Sequence, residues 1–423
     1  NYLKVKECDR MKRVVVTGLG AITPLGNNVS EFWNNLVKGT CGIKEITKFD
    51  TTNYKVKLAA EVHQFDPLQY MDKMELRHTD LYAQYAMAAA CQAMEDSGIQ
   101  NTIAPERIGV YMGSGIGGMS TFMSEHTALL EKGPRKVSPY FIPMMIANIA
   151  SGMIEFRFNC KNSAMPAVTA CASGTNAIGE ALRMIRHGYA DAMIAGGAEA
   201  TINEITAAGF TNMRALSVVD DPKTACLPFD ERRSGFIMGE GAGALVLEEL
   251  EHAVNRGAHI YAELCGYGST CDAYHITAPQ PEAEGGARAI ADAWNELNLD
   301  TDHVYINAHG TGTPLNDKAE TVAIKKALGE ERARKVLISS TKSMTGHMFG
   351  AAGAAEAIAS VLALQHQIVP PTIGLTQPDP ECDLDYVPLE ARKANIQAAL
   401  STSLGFGGHN ACIAFRKIGG DNQ

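Results

Sequence analysis

The chain has 423 residues, of which 46% are hydrophobic and 20% are charged, and this composition is typical of a folded globular protein with two or three domains. Its formal net charge of −10 at pH 7 argues against nucleic acid as a general partner. No run of about 18 apolar residues is present, so no membrane-spanning helix and no membrane partner are predicted.

The ten cysteines form no CxxC pair and no regular framework, so we predict neither a metal site nor disulfides. This cysteine usage, and the lack of an apolar signal-peptide core near the N-terminus, favour a cytoplasmic location. Met11, followed by two basic residues and a Val-Val-Val strand, resembles a natural start. We therefore expect residues 1–10 to be an N-terminal extension.

Strands and helices alternate through the first part of the chain. A strand over 13–18 ends in a glycine turn, and an alanine-rich helix is predicted over 80–97. The next strand, over 108–112, runs into a glycine loop in which Ile116 is the only bulky side chain. An apolar run over 165–168 then leads to Cys171 and to a helix over 175–189.

The second part of the chain repeats this rhythm. Strands are predicted over 261–268, 303–308, 336–340, 399–404 and 411–415, and helices over 283–297, 316–328 and 350–365. The alternation predicts an α/β protein with parallel sheets covered by helices. The similarity between the two parts suggests a duplicated α/β unit.

Cys171 lies at a predicted turn from a strand into a helix. Unpaired N–H groups and the helix dipole favour a thiolate there, and such positions lower a cysteine pKa from about 8.5 to roughly 3.5–7.5. The N–H of Cys171 is also placed to contribute half of an oxyanion hole. The alternative is that Cys171 is simply a small buried apolar residue, which is the usual role of a free cysteine.

Two histidines, His309 and His347, each follow a predicted strand within a loop of glycine, threonine and serine. Functional groups of α/β sheets gather in the loops after the carboxyl ends of strands. We therefore predict that the loops of Cys171, His309, His347 and Phe406 meet, although a single histidine is more often structural.

These four loops resemble the signature loops of the β-ketoacyl-acyl carrier protein synthases. They read TACASG at 169–174, NAHGTGT at 307–313, TKSMTGH at 341–347 and GFGG at 405–408. The resemblance runs from about Met11 to Phe415. Ile116 is similar to the bulky residue of the long-chain elongating type II members, whereas type I members typically lack one there.

The resemblance implies a thiolase fold, with two related α/β halves stacked as five layers in the order αβαβα, and a homodimer. We expect an N-terminal half over 11–258 that carries the nucleophile and a C-terminal half over 259–418 that carries the histidines. No cofactor or metal is implied, because the substrates are carried on the phosphopantetheine arm of acyl carrier protein.

The implied reaction is a decarboxylative Claisen condensation. Cys171 takes an acyl chain from acyl carrier protein as a thioester, and malonyl carrier then loses carbon dioxide and attacks that thioester. His309 and His347, as neutral imidazoles, donate hydrogen bonds to the enolate oxygen. The N–H groups of Cys171 and Phe406 hold the tetrahedral oxyanion of the acyl transfer.

Further roles follow from the resemblance. Lys342 and Glu356 form a supporting pair that orders the loops of the site. Thr311 and Thr313 bind the phosphopantetheine arm, and Asp317 holds the loop that contains them.

Phe406, flanked by glycines, is expected to swing and open the acyl pocket, and Ile116 to line that pocket. His409 stands where many relatives carry threonine. It is either a third histidine near the site or a local hydrogen-bonding residue, and we favour the second interpretation.

Acyl carrier protein is acidic, so a basic docking patch is expected on this acidic chain. The resemblance places it at Lys73, Arg77, Arg135, Lys136 and Arg214. The alternative is that these are scattered surface charges.

Three alternative functions remain. A thiolase needs a second cysteine in a late Cys-x-Gly loop, but here no cysteine follows Phe406 until Cys412. An initiation synthase with a Cys/His/Asn site would have asparagine in place of His347. A non-catalytic chain-length partner subunit typically lacks the nucleophile, and Cys171 is present.

Overall fold

The computed structural model describes residues 11–418, so the expected extension at residues 1–10 lies outside the described residues. Every helix within 11–418 is too short or too polar to cross a lipid bilayer.

The strands, in chain order, are β1 Val14–Ile22, β2 Lys44–Glu45, β3 Leu58–Ala59, β4 Ile108–Gly113, β5 Ala164–Ala167, β6 Ala192–Glu199, β7 Gly241–Glu249, β8 Ala262–Cys271, β9 Val304–Asn307, β10 Leu337–Ser339, β11 Ile368–Val369, β12 Arg392–Lys393, β13 Ala398–Gly405 and β14 His409–Arg416.

The helices are α1 Val29–Val37, α2 Lys73–Arg77, α3 Leu81–Ser97, α4 Met119–Lys132, α5 Phe141–Met145, α6 Ile149–Phe158, α7 Ser173–Arg186, α8 Glu204–Asn212, α9 Leu250–Asn255, α10 Glu284–Leu297, α11 Pro314–Leu328, α12 Glu330–Ala333, α13 Lys342–Thr345 and α14 Ala352–His366.

The main sheet consists of two halves with the same topology. Its strand order is β10-β9-β13-β14-β8-β1-β7-β6-β4-β5, and a short antiparallel pairing of β1 with β8 joins the halves. When the five strands of each half are numbered along the chain, both halves have the order 3-2-4-5-1. This shared order is the duplicated α/β unit that the sequence suggested.

The expectation of parallel sheets is wrong for one strand of each half. β4 is parallel to β5 and β6, and β9 is parallel to β10 and β13. β7 and β14 are antiparallel to their neighbours. For β14 the reason is local, because the short loop after Gly405 returns the chain directly beside β13 and leaves no room for a crossover helix.

Helices cover both halves of the sheet and separate them. α3 and α6 cover the outer face of the first half, α10 and α11 cover the outer face of the second, and α7 and α14 pack between the halves. α14 is apolar on all sides and buried along almost its whole length, as expected for a central helix. The result is the five-layer αβαβα arrangement of the thiolase fold.

Glycine at the contact of β8 with α10 provides a test of this packing. A Cβ atom at Gly268 would overlap the carbonyl oxygen of Ala289, so Gly268→Ala is expected to destabilise the protein by about 1–3 kcal/mol and to lower Tm. The control is Gly209→Ala in α8, where a Cβ atom would meet no atom of residues 11–418 within 4 Å beyond its chain neighbours and its own helix backbone. This change should be neutral or stabilising by about 0.5–1 kcal/mol. Equal Tm values for the two variants in thermal unfolding would contradict this packing.

Candidate active site

A short, strained turn presents the sulfur of Cys171. The turn, Ala170–Ala172, follows β5 and runs directly into α7, which begins two residues before the predicted start. Ala170 has φ of 51°, a left-handed conformation that is unusual for alanine. Ser173 holds the turn closed, since its hydroxyl accepts from the N–H of Thr169 (2.9 Å) and donates to the carbonyl of Ala170 (2.7 Å).

Three residues that are far apart in the sequence meet at this turn, as predicted. Nε2 of His347 lies 3.0 Å from Sγ of Cys171, which is hydrogen-bond distance. The ring of His309 stands almost perpendicular to that of His347, with 5.3 Å between their centroids. One donor atom from each of the three residues lies within 4.8 Å of the others, a set that could also bind a soft cation such as Zn²⁺.

The predicted low pKa of Cys171 is wrong. The side chain is only 9% exposed, and its burial raises the pKa of the thiol to about 12. The positive charge of Lys342 and the N–H groups of Phe406 and Cys171 lower this pKa, but they do not outweigh desolvation. Cys171 is therefore a thiol at rest, and both N–H groups of the expected oxyanion hole already point to its sulfur.

The two histidines are neutral at physiological pH. Burial, and secondly the charge of Lys342, hold the pKa of His309 and of His347 well below its usual value. Each ring therefore has one N–H to donate and carries no positive charge, which agrees with the neutral imidazoles expected from the sequence.

Lys342 and Glu356 form the predicted pair. The ammonium of Lys342 is 0% exposed and donates to Oε1 of Glu356 on the central helix α14. Burial of a lysine is costly unless it is paired, so the pair fixes Lys342 in place. Its charge then acts on the thiol and on both imidazoles, which the sequence motif did not reveal.

The threonine loop is held by its predicted carboxylate. The hydroxyls of Thr311 and Thr313 lie 3.0 Å apart, and both side chains line the cavity described below. Asp317, fully buried at the start of α11, accepts hydrogen bonds from the N–H of Gly312 (3.2 Å) and of Phe229 (2.9 Å). The geometry therefore agrees with Asp317 as the residue that shapes this loop.

Sequence reasoning missed two residues that hold the same loops. Arg233 donates to the carbonyl oxygens of Thr313 (3.3 Å) and Pro314 (3.0 Å). Glu320 is buried, and one of its oxygens accepts from the N–H of His309 at 2.7 Å. Glu320 lies three residues after Asp317 on the inner face of α11, and this helical spacing was the available signal.

A cavity of about 590 Å³ has Cys171, His309 and His347 in its walls, which are mainly apolar. The side chains that form these walls include Ile116, Phe210, Phe236, Phe349, Leu404 and Phe406. Such walls suit a hydrocarbon chain, and the position of Ile116 agrees with its predicted place in the pocket.

Phe406 is half-buried at the tight loop between β13 and β14. Gly407 and Gly408 after it have φ of 86° and 74°, which a residue with a side chain adopts only with strain. The N–H of Gly407 donates to the carbonyl of Ile276 (2.6 Å). His409 begins β14, is half-buried and is not among the residues that line the cavity. Its side chain makes no hydrogen bond within residues 11–418, so its expected hydrogen-bonding role is not supported.

All five residues of the predicted docking patch are exposed. Arg214 lines the cavity itself. Arg77 ends α2, and the next residue, His78, stacks on Tyr140 with 3.7 Å between ring centroids. Tyr140 follows the turn that carries Arg135 and Lys136, so α2 and this turn are neighbours on the surface.

The chain was compared with protein families and with known proteins. Residues 11–253 match "Beta-ketoacyl synthase, N-terminal domain" and residues 261–376 match "Beta-ketoacyl synthase, C-terminal domain". A relative from Staphylococcus aureus (strain COL), "3-oxoacyl-[acyl-carrier-protein] synthase 2", is 52% identical over 96% of this chain and 99% of its own length.

Two solved structures are similar over nearly the whole chain. "The ishigamide ketosynthase/chain length factor" has a TM-score of 0.91 and 36% identity, and covers 97% of this chain and 100% of its own. A type II polyketide ketosynthase in complex with its acyl-carrier protein has a TM-score of 0.88 and 36% identity, and covers 96% of this chain and 100% of its own.

The pH dependence of alkylation tests the state of the thiol. Because burial raises the pKa of Cys171 to about 12, the reactive thiolate fraction should increase about tenfold per pH unit between pH 7 and pH 9. Mass spectrometry of the iodoacetamide-labelled Cys171 peptide measures the rate, and Cys171→Ser provides the background. An alkylation rate that stops increasing below pH 8 would contradict the raised pKa, because it would show that Cys171 is already mostly thiolate there.

Proposed function

The chain belongs to the β-ketoacyl synthase family, and we propose that Cys171, His309 and His347 carry out its reaction. The protein is an acyltransferase that catalyses the condensing step of fatty acid synthesis, as a 3-oxoacyl-acyl carrier protein synthase of type II. The observation that supports these residue roles best is the 3.0 Å approach of His347 Nε2 to the Cys171 sulfur in the wall of a mainly apolar cavity.

The first half-reaction moves an acyl chain onto Cys171. Its sulfur attacks the thioester carbon of acyl carrier protein, the carbon–sulfur bond to the carrier breaks, and the thiol proton passes to the departing carrier sulfur. His347 lies close enough to take that proton in transit. The N–H groups of Cys171 and Phe406 hold the oxyanion, and losing one such donor typically costs about 2.7–4 kcal/mol.

The second half-reaction lengthens the chain by two carbons. The bond between the malonyl carboxylate and its α-carbon breaks, carbon dioxide leaves, and the electron pair forms an enolate. Neutral His309 and His347 donate hydrogen bonds to the enolate oxygen. The α-carbon then attacks the thioester on Cys171, whose sulfur leaves as a thiolate near the charge of Lys342 and is reprotonated.

The remaining site residues bind the acyl chain and the phosphopantetheine arm. Ile116 limits the acyl chain at the cavity wall, and Phe406, next to two glycines in left-handed conformations, moves to admit it. Thr311 and Thr313 bind the phosphopantetheine arm. Their hydroxyls line the cavity, and this supports the assignment.

The carrier docks on the basic residues around α2 and the Arg135–Lys136 turn, with Arg214 at the cavity. The family acts on substrates bound to acyl carrier protein, and one similar structure contains a ketosynthase with its carrier. An acidic carrier would be attracted to these exposed cations, which lie on an otherwise acidic protein.

A second copy of the chain covers the exposed edge of the sheet at β5. Met165 and Val168 beside this edge are 48% and 54% exposed, and Phe156 on the neighbouring α6 is 89% exposed. An apolar edge strand is unfavourable in water, so a homodimer paired at this edge is the proposed assembly.

The nine cysteines of residues 11–418 are free thiols, which supports a cytoplasmic location.

A panel of acyl carrier substrates tests the proposed function. With malonyl carrier and acyl chains of increasing length, the enzyme should release carbon dioxide and form products two carbons longer, and Cys171→Ser should form none.

Ile116→Phe should reduce the elongation of long acyl chains by about tenfold or more while short chains are still elongated, because the larger ring reduces the space at the cavity wall. Normal elongation of long chains by Ile116→Phe would contradict the pocket assignment.

Charge reversal tests the docking patch. Replacing Arg135 and Lys136 together by glutamate should raise KM for carrier substrates about tenfold at low salt, with little change in kcat, because encounter is weakened and the chemistry is not. Reversal at Lys335, an exposed lysine on the opposite half, is the matched control. Unchanged kinetics in the double variant would exclude this turn from the docking surface.

A further inference from the structure

One fully buried carboxylate near the site has no part in the chemistry above. Glu199 is the last residue of β6. It accepts hydrogen bonds from the N–H groups of Gly115 (2.7 Å), Ile116 (3.3 Å) and Gly350 (3.1 Å), and from the hydroxyl of Ser114 (3.2 Å). Four hydrogen bonds to a single buried carboxylate hold it, and the groups that donate to it, in fixed positions.

These donors belong to two different parts of the site. Gly115 and Ile116 form a wall of the acyl cavity, whereas Gly350 lies in the turn Phe349–Ala351, three residues after His347. A Cβ atom on Gly115 or on Gly350 would come within 2.9 Å of a Glu199 oxygen. The carboxylate therefore fills the narrow space between the two loops.

Among residues 11–418, every group that hydrogen-bonds to the Glu199 carboxylate is neutral. The titratable groups that face it are Tyr82 of α3 and the Cys171 thiol. Burial raises the pKa of Glu199 to about 7, and the four hydrogen bonds oppose that shift because they favour the ionised form. On protonation, a hydrogen on Oε2 would face the N–H groups of Gly115 and Gly350, and a hydrogen on Oε1 would require the Ser114 hydroxyl to turn its own hydrogen away from the carboxyl.

We propose that Glu199 is a positioning residue whose carboxylate holds the Ile116 loop against the turn after His347 and thereby sets which acyl chains the cavity accepts. This inference rests on the proposed function. It adds that the chain-length preference depends on whether Glu199, which lies behind the cavity wall, is ionised. The preference is sharp above about pH 7, where Glu199 is ionised, and weaker below it.

The test compares Glu199→Gln with the wild type on an acyl carrier series. Glutamine keeps the shape but places an N–H group opposite backbone donors and does not ionise. The ratio of kcat/KM between the preferred chain and one four carbons longer should decrease about five- to tenfold in Glu199→Gln. In the wild type the ratio should decrease between pH 8 and pH 6, whereas in the variant it should stay flat. Because each ratio is taken at a single pH, titration of the catalytic groups cancels.

Glu248→Gln is the matched control, since Glu248 is an equally buried glutamate that pairs with Arg256 and His252 away from the cavity. It should leave the ratio unchanged even if it lowers Tm. A wild-type ratio in Glu199→Gln, or an equal change in Glu248→Gln, would overturn the inference. If Glu199→Gln does not fold, a wild-type ratio that is flat from pH 6 to pH 8 overturns it instead. A wild type that elongates no acyl chain would overturn the proposed function.

Discussion

The buried ion pair of Lys342 and Glu356 is the interaction on which the chemistry of the site depends. Burial makes the Cys171 thiol hard to ionise and the two imidazoles hard to protonate. The fixed charge of Lys342 opposes the first effect and reinforces the second, so the same cation favours a thiolate and keeps both histidines neutral. A solvent-exposed lysine would be screened and would do neither.

The site also requires both halves of the duplicated fold. Cys171 follows a strand of the first half, whereas His309, His347 and Phe406 come from the second. The central helices α7 and α14 pack between the halves and bring their loops together. Because α7 begins at the nucleophile turn and α14 carries Glu356, the packing of this layer fixes the distances between the reacting groups.

Buried carboxylates shape the surrounding loops by one repeated device. Asp317 binds the N–H groups of Gly312 and Phe229, and Glu320 binds those of His309 and Gly310. Glu199 joins the Ile116 loop to the turn before α14. Loops without regular structure otherwise leave N–H groups unpaired, which is costly when they are buried. Each carboxylate satisfies several of these groups and so gives a glycine-rich loop one conformation.

The sequence by itself predicted that the loops of Cys171, His309, His347 and Phe406 meet, and it suggested a duplicated α/β unit, because glycine-rich loops after strands and regular alternation are local patterns. The resemblance to the synthase family also implied the Lys342–Glu356 pair, which the structure contains. Only the tertiary structure decided the raised pKa of Cys171, since desolvation depends on everything packed around the sulfur. The same holds for Glu199, whose partners lie 84 and 151 residues away along the chain. Contacts across such separations leave no local pattern, so folding alone brings them together.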